Sequence, residues 1–237
     1  MSNSTFRRGL HKAGYKWGNT RRKGKVLKSD LKARITFCKK IMARNLGIEF
    51  WQNGIAMYVD GVGFEYKSNP YDHAKSLGAR EWRKIKEGLS VNCTAKGNKE
   101  GKTYVRFMVG ISHSAGVVMC EPLTERMSGE YYAELIKNTF GIAMVKSGKS
   151  SRRMLQDGCP SQNSKKTQNE MDRANIKLFK IPARSPDLNP IENLFNQVRR
   201  SIKQDSLRQM MNRESKKEFT QRVKKLIDEY SIHYTNQ

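Results

Sequence analysis

The chain has 237 residues, of which 46 are Lys or Arg and 22 are Asp or Glu, so its formal net charge at neutral pH is +24. A chain of this length can bury one sizeable core, and so large an excess of positive charge implies a polyanionic partner, most often nucleic acid. The sequence lacks an apolar leader or spanning segment, and its four scattered cysteines form no C-x-x-C pair, so we expect a reducing compartment, no membrane partner, no zinc and no small-molecule substrate.

Positive charge is concentrated at the front of the chain, where residues 1–50 contain 14 Lys or Arg and two acids. STFRRGLHKAGYKW predicts a short amphipathic helix that ends at Gly14, followed by the basic connector GNTRRKGK. A second helix is predicted from Ser29, as its N-cap, to about Leu46. We interpret residues 1–47 as a basic helical arm along DNA, with a merely solvated arm as the alternative. RRKGK is also typical of a nuclear localisation signal, so we expect the protein in the nucleus.

From Ile55 the hydrophobic pattern becomes that of strands, because AMYVDGVGFEY alternates around Asp60-Gly61. Residues 67–102 then lose periodicity and carry nine Lys or Arg against four acids. An irregular stretch of this length inside a domain indicates a functional loop. We therefore predict a basic insert at 67–102.

The rest of the chain alternates between strands and helices. TYVRFMVGIS and GVVMCE predict a strand pair, and SGEYYAELIKNTF predicts a helix with Ser128 as its N-cap. RRMLQD, SKKTQNEMDRA and IKLFKIP predict a strand, a polar helix and a strand. Asn189 opens a helix to about Ile202, and a last helix has one apolar face formed by Phe219, Val223, Leu226, Ile227 and Tyr230. This order of elements indicates the α/β class.

Three acidic residues each have a structural explanation when they are considered singly. Asp60-Gly61 between alternating apolar residues is a hairpin signal, and Asp157-Gly158 is a turn signal. Asn189-Pro190-Ile191-Glu192 resembles a helix start with an Asn N-cap. For each acid taken alone, the structural explanation is favoured.

The same acids considered together favour a metal site. Asp60 and Asp157 follow apolar runs, and Glu192 lies in the first turn of a helix that follows another strand. Strands of one sheet can bring the first two together, and a helix packed on that sheet can aim the third at the same point. Clustered carboxylates repel unless cations occupy the site, and oxygen-only ligands suit Mg²⁺ or Mn²⁺.

Over roughly residues 50–205 the chain resembles the DDE transposases of the Tc/mariner superfamily. The resemblance rests on YVDGVGF, LQDGCPSQNSK and above all SPDLNPIENLF, with 34 residues between Asp157 and Glu192. RRGLHKAGYKW and RRKGKVLKSDLKARITFCKK are similar to the end of that family's second helix-turn-helix and its linker. Three positions, Gly158, Gln162 and Phe195, differ from residues common in the family.

The resemblance implies a ribonuclease-H-like fold, with a mixed five-stranded sheet flanked by helices. This catalytic domain would span residues 48–202, behind the basic N-terminal arm and with the basic insert inside it. Residues 203–237 would form a C-terminal helical tail. In the family, the insert corresponds to a loop that clamps a partner subunit or DNA.

The resemblance also implies a DDE-type transposase and endonuclease. Asp60, Asp157 and Glu192 would be the catalytic, metal-binding residues and would hold two ions of Mg²⁺ or Mn²⁺, with Asp60 bridging both. Water would free a 3′-hydroxyl at the element end, and that hydroxyl would attack target DNA. The implied partners are double-stranded DNA, as transposon ends and target, and a second copy in a homodimer. The expected DNA contacts are the basic residues Arg7, Arg8, Arg21, Arg22, Lys23, Lys25, Arg80, Arg83, Lys84 and Lys86.

Two other functions stay open at this point. The chain is alternatively a catalytically inactive, transposase-derived DNA-binding protein, in which the basic arm acts and the acids persist by descent. A ribonuclease-H-type hydrolase of RNA–DNA hybrids is the third hypothesis. The insert and SPDLNPIENLF disfavour the hydrolase, and the presence of all three acids favours catalysis.

Overall fold

The computed structural model describes residues 2–19, 28–75, 80–84, 102–158, 160–208 and 212–234. The strands are β1 (Tyr15–Asn19), β2 (Met57–Tyr66), β3 (Arg80–Lys84), β4 (Thr103–Ser112), β5 (Gly116–Pro122), β6 (Arg153–Gln156) and β7 (Lys177–Lys180). The helices are α1 (Asn3–Lys12), α2 (Lys28–Ala43), α3 (Tyr71–Lys75), α4 (Gly129–Leu135), α5 (Gly141–Lys146), α6 (Lys165–Arg173), α7 (Ile191–Arg208) and α8 (Lys216–Tyr234). Short π-helical turns cover Phe50–Gly54 and Ile136–Phe140, and the second of these joins α4 to α5. None of the described helices combines the length and the apolarity that a membrane span requires.

Five strands form the central sheet in the order β5-β4-β2-β6-β7. The pairs β2–β4 and β4–β5 are antiparallel, whereas β2–β6 and β6–β7 are parallel. The predicted mixed five-stranded sheet, with helices on its faces, is therefore confirmed. The predicted strands at TYVRFMVGIS, GVVMCE, RRMLQD and IKLFKIP correspond to β4, β5, β6 and β7.

Alternation along β2 sorts its side chains between two cores, since successive residues of a strand face opposite sides of the sheet. Val62 and Phe64 pack with residues of α7 and α8. Met57 and Val59 pack with α4, α5 and the π-helical turn between them. The sheet is thus covered on both faces, and its centre is β2.

The last helix contributes to one of these cores. Phe219, Val223, Leu226 and Ile227 are buried against the sheet, and Tyr230 packs beside them, as the one-faced apolar pattern predicts. α7 extends to Arg208, beyond the predicted end at Ile202. The division of the chain at residues 47 and 202 stays a prediction, but α8 packs into the same core as the sheet.

The N-terminal arm is helical, although its details differ from the prediction. α1 begins after the Ser2 N-cap, and Gly14 follows it with a φ of +81°, a backbone conformation that favours glycine. α2 is already helical at Lys28, so Ser29 lies inside the helix and the N-cap prediction is wrong.

The stretch after Gly14 pairs with the predicted insert. β1, with Trp17 opposite Trp82, forms a two-stranded antiparallel sheet with β3. The stretch after Gly14 is therefore partly a strand, and the insert contains β3 and the short helix α3. Neither was expected, because each strand has its only described partner far away in the sequence. Residues 76–79 and 85–101 of the insert lie outside the described residues.

Candidate active site

Asp60 lies within a continuous strand. β2 pairs with β4 on both sides of it, from Tyr58 opposite Ile111 to Tyr66 opposite Thr103. The hairpin interpretation of Asp60-Gly61 is therefore wrong, because the long antiparallel pairing overrides the local turn signal. The Asp60 side chain is half-buried, and its Oδ1 accepts a hydrogen bond of 2.7 Å from the Gly61 N–H.

Asp157 follows the end of β6, the parallel neighbour of β2. Met57 is opposite Met154, and Tyr58 is opposite Leu155. Continuing this register by two residues aligns Asp157 with Asp60, and adjacent strands lie about 4.8 Å apart. By this continuation, Asp157, the first residue after β6, is level with Asp60 on β2.

Glu192 lies in the first turn of α7, which packs on the face of the sheet that carries Val62 and Phe64. The buried side chain of Asn189 fixes this helix start. Its Oδ1 accepts a hydrogen bond from the Ile191 N–H (3.4 Å), as expected of a capping residue. Its Nδ2 donates to the backbone oxygen of Val59 (3.5 Å), the residue before Asp60. The third acid is therefore held close to the first.

Ion pairs with α2 also hold the loop before α7 in place. Arg34 on α2 donates two hydrogen bonds to the carboxylate of Asp187, at 2.9 and 2.6 Å. Arg184 pairs with Asp30 on the same helix at 2.9 Å. A bidentate arginine–carboxylate pair has a fixed geometry, so α2 constrains the segment that leads to Glu192.

The charges of Asp157 and Glu192 act on Asp60. The pKa of Asp60 is raised to about 7, first by burial and then by the negative charges of Asp157 and Glu192. The hydrogen bond from the Gly61 N–H opposes this rise. A carboxyl group that resists ionisation because it is buried beside two like-charged neighbours favours a bound cation.

The donor set fits divalent metal, but no single-ion cluster is formed. Within the described residues, no three His, Cys, Asp or Glu side chains are gathered closely enough to hold one ion. A two-ion site does not require such a cluster, because each ion takes protein oxygens together with water and substrate oxygens. Hard carboxylate oxygens on three converging elements are the ligands that Mg²⁺ and Mn²⁺ prefer.

A buried polar residue beneath the acids was missed in the sequence. Gln156 is fully buried next to Asp157, and its Oε1 accepts a hydrogen bond from the hydroxyl of Tyr132. Its Nε2 has no hydrogen-bond partner among the described residues. The sequence signal was a polar residue ending an apolar strand, in RRMLQD.

Of the positions that differ from the family, Gln162 and Phe195 are buried and Gly158 is exposed.

The expected DNA-contacting residues are only partly described. Arg7 and Arg8 lie on α1, and both are exposed. Arg83 and Lys84 lie on β3, beside β1, and Arg80 begins the same strand. The remaining expected contacts, Arg21, Arg22, Lys23, Lys25 and Lys86, lie outside the described residues.

Most of the chain matches one known protein family. Residues 57–217 match the family described as DDE superfamily endonuclease. The chain has no match among curated proteins.

Solved structures of the Mos1 transposase are similar in fold. The Mos1 paired-end complex with left transposon end aligns with a TM-score of 0.66 at 19% identity, covering 100% of this chain and 66% of that chain. The mariner Mos1 paired-end complex with Mg has a TM-score of 0.64 at 17% identity, covering 99% of this chain and 68% of that one. The catalytic domain of Mos1 mariner transposase has a TM-score of 0.60 at 17% identity, with 91% and 90% covered.

The chain thus spans about two thirds of the longer Mos1 chain and nearly all of the Mos1 catalytic domain. The predicted ribonuclease-H-like fold and the predicted relationship to DDE transposases are confirmed. Because the family match covers more than half of the chain, this protein belongs to the DDE superfamily endonucleases.

Proposed function

We propose that this chain cuts and joins DNA strands by metal-dependent phosphoryl transfer, as a DDE transposase. The observation that carries the proposal is the set of contacts that link the elements bearing the three acids. The β2–β6 register, continued by two residues beyond Tyr58 and Leu155, aligns Asp60 with Asp157, and the contact of Asn189 with Val59 ties the helix that bears Glu192 to the same strand. The raised pKa of Asp60 supports this arrangement.

In this proposal, Asp60, Asp157 and Glu192 are the residues that would hold two ions of Mg²⁺ or Mn²⁺. When bound, such ions activate the attacking oxygen and stabilise the leaving oxygen of the phosphodiester. A solved Mos1 paired-end complex contains Mg, which supports the choice of a divalent metal.

The chain's own residues hold the three carboxylates in place. The Gly61 N–H holds one carboxylate oxygen of Asp60, and Asn189 holds the start of α7. The bidentate pair of Arg34 with Asp187 fixes the preceding loop. A site fixed from three sides keeps the carboxylates oriented before DNA arrives, and orientation of this kind lowers the barrier to reaction.

Double-stranded DNA is the proposed substrate, as both element ends and target. A net charge of +24 attracts the phosphate backbone. A Mos1 structure contains a left transposon end in a paired-end complex, which supports the same class of substrate. A homodimer that pairs two DNA ends, acting in the nucleus, is part of the proposal.

A nicking assay on supercoiled plasmid tests this function. With Mn²⁺ or Mg²⁺, the wild-type chain is expected to nick or join DNA, and Glu192→Gln is expected to lose this activity while remaining folded. Glu229→Gln, which removes an exposed acid of α8, is the matched control and is expected to keep it. If the folded wild type binds plasmid but produces no nicked or joined product with either metal, the protein is a DNA-binding protein and the enzymatic proposal is wrong.

A further inference from the structure

A cationic cleft lies between the later part of β2, α3 and the middle of α7. It has a volume of about 660 Å³ and is called the α7 cleft below. Its charged lining consists of Lys67, Arg199, Lys203 and Glu65. β6 pairs with β2 only at Met57 and Tyr58, so among the described strands the later part of β2 has β4 as its one neighbour. The cleft therefore opens along a free edge of β2.

The α7 cleft continues the line of the acids. Phe64, in its lining, follows Asp60 by four residues on the same face of β2, which is about 13 Å along a strand. Arg199 follows Glu192 by seven residues, which is two helical turns and about 10.5 Å on the same side of α7. A DNA strand advances about 3.4 Å per nucleotide, so the cleft lies about three to four nucleotides from the acids.

The cations of the cleft are held in place but remain accessible. The guanidinium of Arg199 lies 5.8 Å from the centre of the Phe64 ring, and its Nη1 donates to Asn196 Oδ1 at 3.3 Å. Arg199 and Lys203 are both exposed and one helical turn apart. Lys67 Nζ donates to the backbone oxygen of Asp72 at 2.9 Å.

The surroundings leave the cleft with net positive charge. Its one carboxylate, Glu65, is paired with Lys102 at 3.1 Å. His73 forms part of the wall and is buried, and burial followed by the nearby charges of Lys67 and Arg222 lowers its pKa to about 4. Glu214 and Glu65 oppose this shift but do not reverse it. An anion in the cleft would thus meet three cations and one neutralised acid.

We propose that the α7 cleft binds backbone phosphates of the DNA that lies across the acids, with Arg199 and Lys203 each neutralising one phosphate. Phosphate contacts fix the position of a strand without reading its sequence, so the cleft would set which bond reaches the carboxylates. This role rests on the proposed function, whereas phosphate binding by the cleft requires only that the chain binds DNA.

The test measures binding of a short random-sequence duplex over a range of salt concentrations without divalent metal, so no cleavage is needed. In Arg199→Gln/Lys203→Gln, the slope of log affinity against log salt is expected to be shallower by about 1.8, which corresponds to about 60-fold weaker binding at 0.1 M salt. Lys137→Gln/Lys146→Gln removes the same charge from the helical segment on the opposite face of the sheet and is expected to keep the wild-type slope. Arg199→Lys/Lys203→Arg keeps the charges and should also keep the slope.

The outcomes distinguish DNA phosphate from free phosphate as the ligand of the cleft. They also distinguish the cleft proposal from the enzymatic proposal. An unchanged slope in the first variant, or an equal loss in the control pair, would overturn the inference. If inorganic phosphate raises the thermal midpoint of the wild type but not of the first variant, while the DNA slopes agree, the cleft is a site for free phosphate and the DNA assignment is wrong. If the first variant has a reduced slope but the wild type never nicks plasmid, phosphate binding by the cleft is supported and only the enzymatic proposal is rejected.

Discussion

The side chain of Asn189 joins the start of α7 to the strand that carries Asp60, through a hydrogen bond of 3.5 Å from its Nδ2 to the backbone oxygen of Val59. The same side chain accepts the Ile191 N–H at 3.4 Å. One buried amide therefore serves both as helix cap and as a tie between two of the three acids.

We expect Asn189→Ala to lower the free energy of unfolding by about 1–2 kcal/mol, because it removes the cap and leaves the Val59 oxygen without this donor. Asn189→Asp keeps the capping oxygen but loses the donor. Chemical denaturation measures both variants. Equal stability of Asn189→Ala and wild type would show that the tie contributes nothing.

Removing the central carboxylate should not unfold the protein. Asp60→Asn relieves repulsion from Asp157 and Glu192, whose charges contribute to raising the Asp60 pKa to about 7. We expect its free energy of unfolding above neutral pH, without metal, to equal or exceed that of the wild type, while nicking is lost. A loss of several kcal/mol on denaturant unfolding would instead assign Asp60 a structural role.

An ion pair with little solvent exposure joins Glu214, which precedes α8, to Arg222 on α8. Arg222 donates to both carboxylate oxygens of Glu214, at 3.0 and 2.6 Å, and the two side chains are 16% and 8% exposed. Glu214→Gln should lower the free energy of unfolding by about 3–5 kcal/mol, because it leaves the guanidinium buried without its counter-ion.

The control for this pair is exposed. Lys225 and Glu229 lie 3.8 Å apart on α8 with most of their side-chain surface in solvent. Exposed pairs of this kind contribute little to stability, so Glu229→Gln should have the same free energy of unfolding as the wild type. Similar losses in Glu214→Gln and Glu229→Gln would contradict the interpretation.

His73 should make the protein sensitive to acid. It stacks on Phe219 with ring centres 5.3 Å apart, and its pKa is lowered to about 4 by burial and by Lys67 and Arg222, against the opposing effects of Glu214 and Glu65. The unfolded chain binds a proton at this residue near pH 6.5, whereas the folded chain does not until about pH 4. This contribution to stability is therefore complete above pH 6.5 and is lost as the pH falls toward 4.

The loss through His73 should reach at most about 3 kcal/mol. His73→Phe keeps the stacked ring but cannot titrate. The difference in unfolding free energy between wild type and His73→Phe should change in favour of the variant as the pH falls from about 6.5 to 4. A difference that stays constant over this range would show that His73 titrates equally in both states.

Most of the sheet could be predicted because its strands carry their own signal. β4 and β5 are apolar or alternating runs, and α8 places its buried residues on one helical face. SPDLNPIENLF combines a capping residue, a proline and an acid, so the start of α7 and the position of Glu192 followed from local chemistry.

The incorrect sequence predictions have a common physical cause, because the contacts that decide them join residues distant in sequence. The Asp60-Gly61 turn signal is local, but β4 pairs along the whole of β2 and keeps the strand straight through it. β1 and β3 stabilise each other across more than sixty residues, and neither has a core-facing pattern of its own. The tie from Asn189 to Val59 likewise joins positions 130 apart, which no local rule reveals.

The central claim is that Asp60, Asp157 and Glu192 together hold paired divalent ions against DNA. The most direct test is the stoichiometry of Mn²⁺ bound per chain in the presence of duplex DNA, measured by electron paramagnetic resonance of free Mn²⁺ for the wild type and Asp60→Asn. Two ions are predicted for the wild type, as in other paired-metal sites, with loss of tight binding in Asp60→Asn. Equal Mn²⁺ binding by the two proteins would contradict the claim.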